Sequence, residues 1–184
     1  MQHAVTLTFD KEATSLLRSA WQSIVDAGLP QPLFNTDVRP HITLSVCGHL
    51  DKERFFIELK EWTASNLQFN IRISSVGLFT TNQLVLYYSI TPTEYLIQLH
   101  RKFHDMFSHY AENVWDYFHP GIWVPHVTMS EGLKAEQISK AVNIASRFEF
   151  PLVCRAEEIV LVDVKKLREI NAFKLGQGEA THPL

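Results

Sequence analysis

One short string occurs twice in the chain. Pro40-His41-Ile42-Thr43-Leu44-Ser45 is matched by Pro125-His126-Val127-Thr128-Met129-Ser130, so the two histidines are 126 − 41 = 85 residues apart in a chain of 184. In an extended strand, residues i, i+2 and i+4 share a face. Each copy then presents His, Thr and Ser on one side and two apolar residues on the other. An imidazole, with an ordinary pKa of ~6.5, gives or takes a proton near neutrality. Two imidazoles on opposite sides of a substrate can act as one base and one acid. Threonine hydroxyls two residues along are short neutral donors, suited to the non-bridging oxygens of a phosphate as charge builds. This set fits metal-free phosphodiester chemistry at a ribose. One histidine activates a water or a 2′-hydroxyl, and the other protonates the leaving oxygen.

A lone His-x-Thr arises by chance. The weight lies in its repetition at equivalent places in a duplicated order of elements. The first half reads as a strand (Ala4 to Phe9), a helix with Leu17, Trp21 and Ile24 at helical spacing, the first motif strand to about Val46, a second helix after Asp51, and an extended stretch from Phe69 to Phe79. The second half reads as a strand (Gln83 to Ile90), a helix opened by Thr91-Pro92-Thr93-Glu94, the second motif strand, a helix over about 134–146, and strands over about 148–153, 158–164 and 168–175. The residues after about 175, GQGEATHPL, read as a polar, frayed tail. A period this long does not suit a solenoid. The expectation is an α+β fold: one domain over 1–184, made of two pseudo-symmetric lobes. Each lobe has an antiparallel sheet flanked by helices, and the active site lies in the central groove.

The bulk properties narrow the function. Hydrophobic residues make up 46% and charged residues 20%, as in an ordinary soluble globular protein. A net charge of −3 argues against broad, non-specific nucleic-acid binding, which needs a basic excess. Cys47 and Cys154 are few and far apart, which suggests a reduced compartment. The N-terminus lacks the basic and apolar regions of a signal peptide, and no apolar run approaches the ~18–20 residues of a spanning helix. The expected location is cytoplasmic, with no membrane association and no obligate protein partner.

With both motifs in view, the chain resembles the two-histidine (2H) phosphoesterase superfamily, in its 2′-5′ RNA ligase-like and cyclic phosphodiesterase branch. The resemblance rests on His41-Ile42-Thr43-Leu44 and His126-Val127-Thr128-Met129. Its flanks are RPHITLSVCG, SVGLFTTNQLVLYYSI and WVPHVTMS. It covers nearly the whole chain, to about Leu175. It implies a bilobal fold with both motifs in a central groove, and His41, His126, Thr43 and Thr128 as the catalytic set. It also implies hydrolysis, without metal or other cofactor, of a 2′,3′-cyclic phosphate or a 2′-5′ phosphodiester on a nucleotide or RNA end. Two other functions are compatible with the groove: a nucleotide or RNA-end binding module with weak turnover, and 2′-5′ RNA end-joining. No Gly-rich triphosphate loop is present, so joining would draw on the strain of a cyclic phosphate.

Further candidates lie around the motifs. Ser45 and Ser130 share the motif faces if the alternation continues, and would either extend the phosphate site or only hydrogen-bond within the sheet. Phe79 is placed near the groove by the resemblance, as a platform for a base or as a core ring; a stacked base is worth ~1–3 kcal/mol. Trp123, three residues before His126, is a candidate for the groove mouth or for the core. Tyr87 and Tyr88 read as core. His100 and His104 are four apart on a helix, a spacing that could serve a metal. Arg101 follows His100 where a metalloprotease motif needs glutamate, so a surface face is expected there and no metal is assigned. Arg39, Arg72 and Arg155 are candidate local positive charge or plain surface.

Overall fold

The computed structural model describes residues 2–81 and 83–179. In chain order the elements are β1 (His3–Phe9), α1 (Lys11–Asp26), β2 (His41–Cys47), β3 (His49–Leu50), α2 (Lys52–Ser65), β4 (Leu67–Thr80), β5 (Leu84–Ile90), α3 (Glu94–Phe107), β6 (Ala111–Glu112), β7 (His126–Leu133), α4 (Ile138–Ala145), β8 (Leu152–Asp163), β9 (Arg168–Lys174) and β10 (Gly176–Glu179). The fold is α+β, a large antiparallel sheet flanked by helices. Among the described residues no helix is long and apolar enough to cross a membrane.

The main sheet runs β2-β1-β8-β4-β5-β7. This order is a palindrome of the duplicated elements. β1 and β5 open the two halves, β2 and β7 carry the repeated string, and β4 and β8 close them. Each repeat strand pairs with the opening strand of its own half, β2 with β1 and β7 with β5. Each closing strand pairs with the opening strand of the other half, β8 with β1 and β4 with β5. β4 and β8 also pair with each other, Phe69–Ile73 against Leu152–Ala156. The halves thus exchange their last strands. Cα atoms of the two outer strands, β2 and β7, come within 8 Å of one another, which brings the two copies together.

Local chemistry explains the helices that back this sheet. Asp10 caps α1 by accepting from the Ala13 N–H at 2.8 Å, and Ala13, Leu17, Trp21 and Ile24 form its buried stripe. Thr93 caps α3 in the same way, through the Leu96 N–H. One large core joins residues of α1, α2, α3 and both halves of the sheet.

Two expectations for the C-terminal part are corrected. The strands expected over 148–153 and 158–164 are one twelve-residue strand, β8. The gap left over 154–157 is closed because β4 pairs with β8 as far as Ala156 and β1 pairs with it from Ala156 onward. The tail does not fray directly after Leu175. Leu175 is buried, the Gly176 N–H donates to Asn66 O at 2.8 Å, and β10 adds to β4 as a parallel strand. The end of that expected tail, 180–184, lies outside the described residues.

Candidate active site

His41 and Thr43 on β2, and His126 and Thr128 on β7, line one cavity of about 350 Å³. A larger groove of about 1270 Å³ between α1 and α4 contains none of the motif residues.

The two histidines are held alike. His41 Nδ1 lies 2.7 Å from Arg39 O, and His126 Nδ1 lies 2.7 Å from Val124 O. A carbonyl only accepts, so in each ring Nδ1 carries the proton and donates, and Nε2 is left for substrate. The prolines contribute to this geometry. Pro40 and Pro125 fix their own φ and keep the preceding residue extended, which sets the carbonyl two residues before each histidine. Burial lowers the pKa of both histidines, opposed by these carbonyl bonds, and charge on His41 lowers His126 further.

The first copy carries an additional brace. Arg39 holds Glu169 through its side chain at 2.9–3.1 Å and through its own N–H at 3.0 Å, and it holds Glu158 at 2.8 Å. Arg39, a candidate substrate cation, is therefore committed to two carboxylates and stabilises the turn that orients His41. Neither Arg72 nor Arg155 lines the cavity.

The serines leave the row, and the backbone shows why. Opposite β1, Val5 pairs with Ser45 but Thr6 pairs with Thr43, so Leu44 is an extra residue. Opposite β5, Leu86 pairs with Ser130 but Tyr87 pairs with Thr128, so Met129 is the extra residue. Both copies contain a β-bulge at the same position, and a bulge resets the alternation. Ser45 and Ser130 are buried, and Ser130 Oγ donates to Pro30 O. The residues one further on, Val46 and Glu131, face the cavity instead. The continued alternation expected for the serines is corrected accordingly.

The aromatic candidates divide. Phe79 is half-buried, lines the cavity and meets the His126 ring edge-on at 4.9 Å; it also stacks on Tyr87 at 4.2 Å. Tyr87 packs at 5.2 Å from His126, so it belongs beside the site rather than in a remote core. Its ring lies over Gly77, where a Cβ would come within 2.3 Å of it, so any side chain at that position would displace the Tyr87 ring. Tyr88 is core, as expected. Trp123 is 8% exposed and stacks flat on His100 at 3.8 Å, with its indole N–H donating to Thr43 O at 2.9 Å. In the other half, Trp21 Nε1–H donates to Thr128 O at 2.9 Å. A tryptophan from each half thus braces the motif threonine of the other.

His100 and His104 do not form a surface face. Both are buried, and each donates from Nε2 to Leu44 O at 3.1 Å. Burial, with His104 beside it, pushes His100 down to about 4, which keeps it neutral at pH 7. The pair satisfies a carbonyl on the free edge of β2. Its spacing signalled a helix face and gave no sign of the strand edge beneath it. Among the described residues no cluster of three or more His, Cys, Asp or Glu is placed to hold a metal.

Sequence reasoning overlooked Glu131 and, apart from Trp123, which also lines the cavity, the segment 115–124. Trp115, Tyr117, Ile122 and Val124 are exposed, apolar and part of the cavity wall. Their irregular run has no period to mark a face.

Comparison with known proteins agrees with this geometry. The Oceanobacillus iheyensis protein named "Putative phosphoesterase OB1230" is 28% identical over 146 residues, 76% of this chain and 82% of that protein. Among solved structures, Escherichia coli LigT superposes with a TM-score of 0.61 at 16% identity, covering 96% of this chain and 98% of LigT. TT0787 of Thermus thermophilus gives 0.59 at 16% identity over 95% and 98% of the two chains. Kluyveromyces marxianus Usb1 gives 0.55 at 11% identity over 95% and 97%. LigT has been solved with ATP and with 3′-AMP, and Usb1 with uridine monophosphate. At these identities the structures speak for the shared fold. The profile of the 2′-5′ RNA ligase superfamily matches residues 14–167 and so spans both motifs. With a His-x-Thr strand from each half on one cavity, the chain belongs to that superfamily of two-histidine phosphoesterases.

Proposed function

We propose that the protein is a phosphodiesterase that hydrolyses a 2′,3′-cyclic phosphate or a 2′-5′ phosphodiester on a nucleotide or RNA end. One observation carries this reading. Two imidazoles, each with Nδ1 fixed and Nε2 free, share a cavity with two threonine hydroxyls. One Nε2 takes a proton from water as its oxygen bonds to phosphorus. The other, protonated, gives its proton to the ribose oxygen as the P–O bond breaks. The products are a phosphomonoester and a free hydroxyl. Thr43 and Thr128 donate to the non-bridging oxygens as charge builds on them. The pseudo-symmetry lets either histidine begin as base, with the choice set by how the substrate lies. The nucleotide complexes of LigT and Usb1 support a nucleotide ligand here. The test is a product assay on a panel of nucleoside 2′,3′-cyclic phosphates and 2′-5′ dinucleotides, run with and without EDTA. The expected result is a single 2′- or 3′-monophosphate at an unchanged rate under chelation. A rate abolished by EDTA, or binding without product on every substrate, contradicts the reading.

A further inference from the structure

Resting on that reading, the structure also bears on the substrate's charge. Apart from Thr81 and Glu131, the cavity wall around the four motif residues is apolar or aromatic, with Val38, Val46, Val85, Phe118, Val162 and Val164 among its members. Among the described residues, no lysine or arginine lines it. The nearest arginine in sequence, Arg39, is held by Glu158 and Glu169. Lys165 and Lys166 lie in the turn between Val164 and Leu167, but only those two apolar residues reach the wall.

One charged side chain does line the cavity, Glu131. Its place follows from the backbone. The bulge at Met129 turns it inward, and a second bulge follows, because Val85 pairs with Glu131 but Leu84 pairs with Leu133. The extra residue there, Gly132, has φ +79°. The pseudo-equivalent position in the other half is Val46, so the carboxylate breaks the symmetry of the site. At ~3.3 Å per strand residue, less the bulge, Glu131 is roughly 7–10 Å from Thr128. That is within a Debye length, ~8–10 Å in ordinary buffer. Glu131 is exposed and makes no ion pair among the described residues.

We infer that Glu131 is a specificity-determining residue which, in a cavity without cations, restricts the site to a phosphodiester carrying a single negative charge. The diester's charge sits between the histidines, which can be protonated. A second phosphate would sit among mostly apolar side chains and a carboxylate, with no lysine or arginine among the described lining residues to neutralise it. Ribose hydroxyls and base N–H groups, by contrast, are donors that a carboxylate accepts. The favoured substrate is then a nucleoside cyclic phosphate with a free 5′-hydroxyl, and RNA ends and 5′-phosphorylated nucleotides are disfavoured.

The experiment compares kcat/KM for a nucleoside 2′,3′-cyclic phosphate with and without a 5′-phosphate, in the wild type, Glu131→Gln and Glu131→Lys. The wild type should favour the 5′-hydroxyl substrate by about tenfold, the ratio that 1.4 kcal/mol produces. Glu131→Gln should bring the ratio most of the way to one, and Glu131→Lys should reverse it. A wild-type ratio near one, or a preference that Glu131→Gln leaves unchanged, overturns the inference while the proposed function stands. Cleavage of neither substrate overturns the inference, and failure on the 2′-5′ dinucleotides as well overturns the proposed function.

Discussion

Replacing His41 or His126 by alanine is expected to lower kcat/KM by about 10²–10⁴, the usual contribution of a positioned acid or base. The two losses should be similar, because each ring is held by the same Nδ1–H bond and each faces the same cavity. The double variant should be little worse than the poorer single one. Groups that act as a unit on one bond are strongly non-additive. Stability should change by only about 1 kcal/mol, the worth of the lost hydrogen bond, since both rings are partly exposed. Steady-state kinetics with thermal melts of the same preparations separates the outcomes. A variant that retains most of its activity shows that its histidine takes no part in the chemistry.

Truncating Trp123 to alanine is expected to cost about 3–5 kcal/mol of stability, the range for a buried large aromatic. The indole is nearly buried, lies flat on His100 and donates to Thr43 O. Removing it leaves a void beside α3 and an unpaired carbonyl at the motif threonine. Trp123→Phe keeps most of the volume and loses the donor, so its cost should be nearer ~1–3 kcal/mol, the penalty for an unsatisfied buried group. Chemical denaturation resolves the two. A tryptophan that served only as a substrate contact would instead raise KM with stability unchanged within about 0.5 kcal/mol.

What was legible in the sequence follows the range of the interactions involved. The faces of His41, Thr43, His126 and Thr128 are set by strand alternation over three residues, and local parity was enough to place them. Two residues further on the same rule failed for Ser45 and Ser130. The bulges at Leu44 and Met129 arise from register against β1 and β5, which lie far off in the chain. The duplicated order of elements was visible, because each helix and strand carries its own periodicity. The exchange of closing strands was not, since nothing in β4 or β8 marks which half it will join. We propose that the two lobes be drawn on that palindromic order, each containing a strand from the other half. His100 and His104 were misplaced for a similar reason. Their burial depends on Leu44 O, an edge carbonyl without side-chain identity. Glu131 was overlooked because an isolated glutamate after a motif resembles surface until both bulges beside it are known.

The central claim is that both imidazoles serve one phosphate, and it is tested most directly by NMR titration of the two rings, free and with a 2′- or 3′-nucleotide product bound. In the free protein both should titrate below the ordinary ~6.5, because burial disfavours the charged form and charge on His41 lowers His126 further. The two curves should be coupled. A bound phosphomonoester favours both protonated forms, so both pKa values should rise, with a single dissociation constant. A ligand that shifts one ring and leaves the other at its free value would contradict a shared site.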